Sequence, residues 1–307
     1  MATQRIILVT GATGAQGGSV ASHLLAGGKF AVRCLSRKPD SERALALRQA
    51  GAEVLKGDLG DPASLREAMK GCYGVFGVTN YWEHFDGEFR HGKNLIDAVA
   101  ASSIRHFVFS TLPHAKKLSD GELDVPHFDL KARLEEDARG RDLPATYVHV
   151  AFYYENFLAF FPPRREADGT FVVGVPQGDT PLAAVGVEDV GGVVQAIFDR
   201  PEEFRNTTVG IVGDDAPVQS YAETMTRVLG VTVAYRHVPR EVFASLGFPG
   251  AEDLANMFDF NRRFIPNRRV DLERSRELYP KMRTFESWAA ANRQRLRGAL
   301  GLAAAAS

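Results

Sequence analysis

The stretch Arg5-Ile6-Ile7-Leu8-Val9-Thr10-Gly11-Ala12-Thr13-Gly14-Ala15-Gln16-Gly17 decides the fold of this chain. Its first half is an apolar run of strand length. Its second half spaces three glycines as GxxGxxG, and a helix-compatible segment, Ser19 to Ala26, follows. Strand, glycine turn and helix in that order make a dinucleotide site. Gly11 permits the tight turn, Gly14 lets the backbone approach a pyrophosphate, and Gly17 lets helix and strand pack closely. Thr13, Ala15 and Gln16 fill the loop between them. The N–H groups at the helix start, helped by the macrodipole, favour the phosphate charge.

The next apolar run, Phe30 to Leu35, ends at Ser36-Arg37-Lys38. An NAD site places an acidic residue here for the ribose 2′-hydroxyl. Two cations suit a 2′-phosphate instead, and Arg37 can also stack on adenine. The expectation is NADP(H) preference. The alternative is a solvated basic turn ahead of Pro39, which leaves cofactor choice open.

Alternation of this kind continues outward. Strand-like runs at Glu53–Lys56, Gly74–Thr79, His106–Ser110 and Ala145–Val150 are separated by helix-period segments. Ser41 is placed to cap one helix and Pro62 to open the next. This predicts an α/β protein with a doubly wound, Rossmann-type parallel sheet. Its ligand edge collects the loops after Thr10, Ser36, Gly57, Thr79, Ser110 and Val150, and with them Asp58, Leu59 and Asn80. After Phe152 the pattern loosens among prolines and glycines, including a hairpin between Pro162 and Gly178. The expected division is residues 1–153 as the NADP-binding domain and 154–307 as a smaller α+β capping lobe. A strand near 207–212 is expected to rejoin the main sheet. The tail Ala303–Ala306 is expected to fray.

With 307 residues, 45% of them hydrophobic, the chain can build a sizeable core. Its 37 basic and 38 acidic residues give net charge −1, which argues against a dedicated nucleic-acid or membrane-surface protein. The locally basic segment Arg262–Arg283 is interrupted by Asp271, Glu273 and Glu277 and reads as a solvated helix face. Cys34 and Cys72 lie in or beside apolar runs, outside any CxxC pattern, as small buried hydrophobes of a reducing compartment. The first strand begins at once, leaving no room for a signal peptide. No apolar stretch approaches the ~20 residues that span a bilayer. A cytoplasmic protein is expected, nuclear as well in a eukaryote. The histidines form no HxxxH or HxH pair, so no metal is expected. The lack of GxxxxGK[ST] gives no indication of ATP.

Five further fragments resemble the NmrA-like proteins, atypical relatives of the short-chain dehydrogenases. They are Gly14-Ala15-Gln16-Gly17-Gly18-Ser19-Val20, Val78-Thr79-Asn80-Tyr81-Trp82-Glu83, His127-Phe128-Asp129-x-Lys131, Tyr154-Glu155-Asn156 and Gly247-Phe248-Pro249-Gly250-Ala251-x-Asp253-Leu254-Ala255-Asn256-Met257-Phe258. The resemblance runs from about residue 5 to 295 and is strongest to the animal NADPH-sensor branch, called HSCARG in humans. It implies NADP(H) held by Gly11 to Gly17, with Arg37 at the 2′-phosphate and Lys131 at the nicotinamide ribose. Tyr153, Tyr154, Glu155 and Asn156 would line the nicotinamide end. The family also uses a basic residue on the helix after the Asn80–Glu83 loop, for which Arg90 and Lys93 are both candidates. A redox-sensing regulator with protein partners is implied, and a homodimer is an assembly it allows.

Active short-chain dehydrogenases use Tyr-x-x-x-Lys, in which the lysine lowers the tyrosine pKa from about 10. Here Lys131 is present but position i−4 is His127, on the same helix face. Little or no dehydrogenase activity is expected from such a pair. The alternatives are an imidazole acid in the tyrosine's place, or an NADPH-dependent reductase of a quinone-like or other small carbonyl compound. Tyr81, Trp82, His84, Phe85, Tyr153, Tyr154 and Phe157 read either as an aromatic cleft or as ordinary core.

Overall fold

The structure is a computed structural model and describes residues 4–85 and 87–302. Asp86 and the tail Ala303–Ala306 lie outside the described residues. The first half of the chain runs β1 (Arg5–Val9), α1 (Ala15–Gly27), β2 (Phe30–Ser36), α2 (Glu42–Gln49), β3 (Glu53–Lys56) and α3 (Pro62–Met69). It continues with β4 (Cys72–Gly77), α4 (Tyr81–His84), α5 (Gly87–Ala100), β5 (His106–Thr111), α6 (Ala115–Leu118), α7 (Pro126–Gly140) and β6 (Ala145–Val150). Next come β7 (Phe152–Tyr153), β8 (Arg164–Arg165), β9 (Phe171–Val175), β10 (Pro181–Val185), α8 (Val190–Asp199), α9 (Pro201–Phe204), β11 (Thr208–Ile211) and β12 (Asp214–Pro217). The rest is α10 (Val218–Leu229), β13 (Val233–His237) and five further helices, α11 (Arg240–Ala244), α12 (Ala251–Phe264), α13 (Arg269–Leu278), α14 (Phe285–Ala291) and α15 (Arg293–Ala299).

Two compact units form. One holds the chain up to His114, then His127–Val150 and Val187–Gly210. The other holds Ala115–Pro126, Ala151–Gly186 and the chain from Ile211 onward.

The first unit is built on a seven-stranded sheet in the order β11-β6-β5-β4-β1-β2-β3. Pairings from β3 across to β6 are parallel, with Arg5 opposite Phe30 and Val108 opposite Thr146. Tyr147 N–H donates to the Thr207 carbonyl and Ala151 N–H to that of Ile211, so β11 runs in the same direction. This is the doubly wound order, reversing between β1 and β4, where such sheets bind ligands. The inner strands are mostly apolar because helices cover both faces. Leu65, Leu95, Ile96, Val99 and Leu134 meet Leu8, Val75, Phe107 and Phe109 in one buried cluster. Helices start and stop where local chemistry dictates. Asp61 caps α3, its side chain accepting from Ala63 N–H at 2.9 Å, with Pro62 in the first turn. Ser41 takes the cap position of α2 without a side-chain cap bond.

α1 and α8 pack closely. Ser19 Oγ donates to the Glu188 carbonyl at 2.6 Å and accepts from Gly191 N–H at 2.9 Å. A Cβ on Gly191 would overlap the Ser19 carbonyl, so only glycine permits this approach.

Buried His106 ties β5 to β6, and the half-buried Glu135 of α7 ties that helix to both strands. His106 Nε2 lies 2.8 Å from Thr146 Oγ1, which itself donates to the Phe204 carbonyl at 2.8 Å. His106 therefore donates through Nε2, and its buried Nδ1 lacks a hydrogen-bond partner. Burial, aided by Arg205, pushes this imidazole down to about 4. Glu135 Oε2 accepts from Thr111 Oγ1 at 2.6 Å and pairs with His149 Nε2 at 2.9 Å, while Oε1 takes Arg139 Nη2 at 2.8 Å. Burial opposes ionisation of Glu135, but these bonds, His149's first, hold its carboxyl down at about 2.

The second unit carries two three-stranded sheets, ordered β12-β10-β7 and β13-β9-β8. β8 and β9 form a short antiparallel pair within the region where a hairpin is expected; β9 also pairs in parallel with β13. Tyr154, Phe157, Tyr221, Phe285 and Trp288 are fully enclosed and form an aromatic core for this unit. Cys34 and Cys72 are free and buried in the first unit, and burial pushes the Cys34 thiol up to about 12. Among the described residues no helix is long and apolar enough to cross a membrane. Nor does any group of three or more His, Cys, Asp or Glu among them suit a metal ion.

Candidate functional site

The glycine loop leaves β1 and enters α1 at the carboxyl edge of the first unit's sheet. Gly11 adopts φ +60°, and a Cβ at Gly17 would overlap the Gly11 carbonyl and the end of β1. At Gly14 a Cβ would sit 3.2 Å from the same carbonyl. The turn is closed by Gly14 N–H donating to Gly11 O at 2.8 Å. Gly14 occupies the N-cap of α1 without a side chain, so backbone alone faces outward ahead of Ala15 and Gln16. A cradle that leaves no room for Cβ atoms at the start of a helix fits a phosphate group. Arg43, on the first turn of α2, donates through Nη1 to the Thr13 carbonyl at 2.9 Å and adds a cation to the rim.

Arg37 lies at the end of β2 and is about half exposed. Its Nη2 pairs with Glu83 Oε1 at 2.6 Å and its Nε faces Asp58 Oδ2 at 3.9 Å. The guanidinium beside it holds the Glu83 carboxyl below the usual carboxylate range. Lys38 next to it is exposed. Asp58 caps its own turn, accepting from Gly60 N–H, and the Leu59 carbonyl accepts from Asn94 Nδ2 at 2.9 Å.

Lys131 reaches from α7 to the end of β4. Its Nζ donates to Thr79 Oγ1 at 2.8 Å and to the Thr79 carbonyl at 3.1 Å, and it forms an ion pair with Glu88 of α5. Thr79 Oγ1 donates to Glu88 Oε1 at 2.6 Å. Glu88 is wholly buried, and its Oε2 has no hydrogen-bond partner. Lys131 is thus a paired ammonium, its charge offset at short range. His127, one turn earlier on α7, is buried, with ring centroids 5.2 Å from Trp82 and 5.9 Å from Tyr81. Phe85 packs edge-on against Tyr81 at 5.5 Å. His127 therefore belongs to an aromatic cluster with α4, beside the Thr79 network.

The expected residues do not all converge. Gly11, Thr13, Gly14, Ala15, Gln16, Gly17, Arg37, Lys38, Asp58, Leu59, Thr79, Asn80, His127 and Lys131 all belong to the first unit, in the loops and α7 at one sheet edge. Lys93 instead pairs with Asp137 at 2.9 Å, while Arg90 is exposed. Tyr153, Tyr154, Glu155 and Asn156 belong to the second unit. There Tyr153 pairs with Val185, Tyr154 is core, and Glu155 Oε1 accepts from Trp288 Nε1 at 3.0 Å. The Asn156 carbonyl accepts from Phe160 and Phe161 N–H groups. Sequence reasoning assigned no role at this site to Glu83, Glu88 or Arg43, although Glu83 stands in a fragment that resembles the family. Arg43's place in the first turn of α2 offered a further hint.

The likenesses to known proteins point one way. NmrA, a negative transcriptional regulator crystallised with NADP, superposes with TM-score 0.81 at 23% identity over 94% of each chain. The NADPH-dependent quinone oxidoreductase QOR2 of Escherichia coli, crystallised with NADPH, gives 0.78 at 21% identity over 93% of this chain and 99% of its own. In sequence, the NmrA-like oxidoreductase FrzB of a Cladobotryum species is 32% identical over 281 residues, 84% of each chain. The NmrA-like family profile matches residues 3–289. Shared architecture could arise without shared descent, but sequence identity sustained across nearly the whole chain does not, and this chain belongs to the NmrA-like family.

Proposed function

We propose that this chain binds NADP(H) at the carboxyl edge of the seven-stranded sheet and works as a redox-sensing regulator with little or no dehydrogenase turnover. Gly11 to Gly17 would hold the pyrophosphate, Arg37 and Lys38 the 2′-phosphate, and Thr79, Asn80 and Lys131 the nicotinamide ribose. The bound nicotinamide would supply hydride chemistry; the protein supplies orientation and charge. Cofactor-bound neighbours, NmrA with NADP and QOR2 with NADPH, support the choice of ligand.

The observation that carries the regulatory reading is the Lys131–Glu88 pair. A dehydrogenase lysine depresses a phenol through its unshared positive charge. Here a buried carboxylate offsets that charge, and an enclosed imidazole stands where the phenol would be. A second reading, an NADPH-dependent reductase of a quinone-like or other small carbonyl compound, draws support from the oxidoreductase relatives. It also draws on the aromatic wall of Tyr81, Trp82 and His127 beside Thr79.

Calorimetry with NADPH and NADH tests the cofactor. Arg37→Asp should erase a preference of about tenfold to a hundredfold, the worth of a charge-assisted bidentate contact. Equal affinities in the unmodified protein would sink this claim. Steady-state NADPH oxidation against a panel of quinones and aldehydes tests the activity. Only trace turnover is expected, and a rate of about 1 s⁻¹ or more would favour the reductase. Loss of that rate in His127→Phe would then make the imidazole its acid.

A further inference from the structure

Arg37 already holds an anion. Glu83 Oε1 occupies its Nη2, and the second Glu83 oxygen accepts from Asn80 Nδ2 at 3.3 Å. Asp58 stands on the Nε side. A guanidinium donates in one plane, and bidentate recognition of a phosphate uses two of its N–H groups at once. With Glu83 in place the Nε/Nη2 edge of that fork is taken, and two carboxylates confront any incoming dianion. A ribose 2′-hydroxyl meets no such conflict, since it is neutral and can donate to a carboxylate.

Resting on the reading that NADP(H) binds at this edge, we propose that Glu83 sets the discrimination between 2′-phosphorylated and unphosphorylated dinucleotides. Its carboxylate holds Arg37 until a 2′-phosphate displaces it, whereas NAD(H) leaves the pair intact. Displacement has a structural consequence, because Glu83 sits on α4 with Tyr81 and Trp82. That short helix ends at Phe85, whose φ of +43° is one that a bulky residue keeps only when its surroundings hold it. Two backbone bonds do so, Phe85 N–H to Tyr81 O at 2.6 Å and Glu88 N–H to Phe85 O at 2.9 Å. Trp82 and Phe85 are both partly exposed. The surface they form would therefore respond to the 2′-phosphate itself rather than to dinucleotide in general, which is the differential contact that a population shift requires.

The test is calorimetry with NADP⁺ and NAD⁺ at one ionic strength, on the unmodified protein, Glu83→Gln and Glu83→Ala. Both variants should bind NADP⁺ about fivefold more tightly, the upper range for releasing an exposed ion pair, and neither should bind NAD⁺ more tightly than the unmodified protein. Trp82 emission, with Trp82→Phe used to subtract Trp288, should shift with NADP⁺ and not with NAD⁺. Equal changes for both nucleotides, or none, would overturn the gate while leaving nucleotide binding intact. Failure of the unmodified protein to bind either nucleotide overturns the underlying reading and the gate together.

Discussion

Between pH 7 and pH 2 the folded first unit should lose about 6 kcal/mol of stability in two separable stages, each worth about 3 kcal/mol from its pKa displacement. Burial holds His106 at about 4 in the fold against an ordinary 6.5. The unfolded chain therefore takes up this proton first. The stability that neutral His106 confers is complete above pH 6.5 and is lost as pH falls through about 4. Glu135 is held at about 2 against an ordinary 4.5 by His149, Thr111 and Arg139. Its contribution is complete above pH 4.5 and is lost as pH falls through about 2. Urea unfolding across a pH series should show both stages. His106→Gln keeps a donor for Thr146 but does not titrate, so it should flatten the upper stage alone. Glu135→Gln should flatten the lower one. Constant stability from pH 7 to 4 would show that the buried imidazole does not resist protonation.

Replacing Glu88 by alanine should destabilise the protein by about 3 kcal/mol, the cost of stranding one member of a buried ion pair. Lys131 would keep its Thr79 contacts but lose its countercharge, and Thr79 Oγ1 would lose its acceptor. Pairing Glu88→Leu with Lys131→Met should recover most of the loss, because two apolar side chains leave no charge uncompensated. Chemical denaturation of the single and double variants gives the coupling. A Glu88→Ala protein within about 0.5 kcal/mol of the parent, the ordinary range for a surface change, would mean that the pair does not hold β4, α5 and α7 together.

Much of this was legible in the residues because it is local. The strand–glycine–helix order and the alternation of apolar runs encode a parallel sheet within short windows, and the sheet follows them in register. Lys131 could be named from the family resemblance of the fragment that begins at His127. The charges that answer these residues could not. Glu88 precedes Lys131 by 43 positions on another helix, and Glu83 follows Arg37 by 46; only the tertiary fold brings each pair together. Lys93 shows the same limit in reverse. It looks available for a phosphate in the sequence, yet it pairs with Asp137 from α7. Tyr154 reads equally well as a ligand wall or as core until Tyr221, Phe285 and Trp288 close around it.

The place of β11 in the sheet has a consequence for synthesis. Six strands are complete once Val150 has emerged from the ribosome, but β6 receives its outer neighbour only when Ile211 does. For about 60 residues, roughly 3–12 seconds at ordinary elongation rates, the nascent sheet carries β6 as an open edge. In the finished protein that strand is almost wholly buried, with no lysine, arginine, aspartate or glutamate to blunt it. Such an edge is a template for pairing with another nascent chain. Slow codons or early termination between Val150 and Ile211 should therefore send the product into aggregates, and a cut placed after residue 153 should yield a soluble N-terminal fragment far less readily than the whole chain.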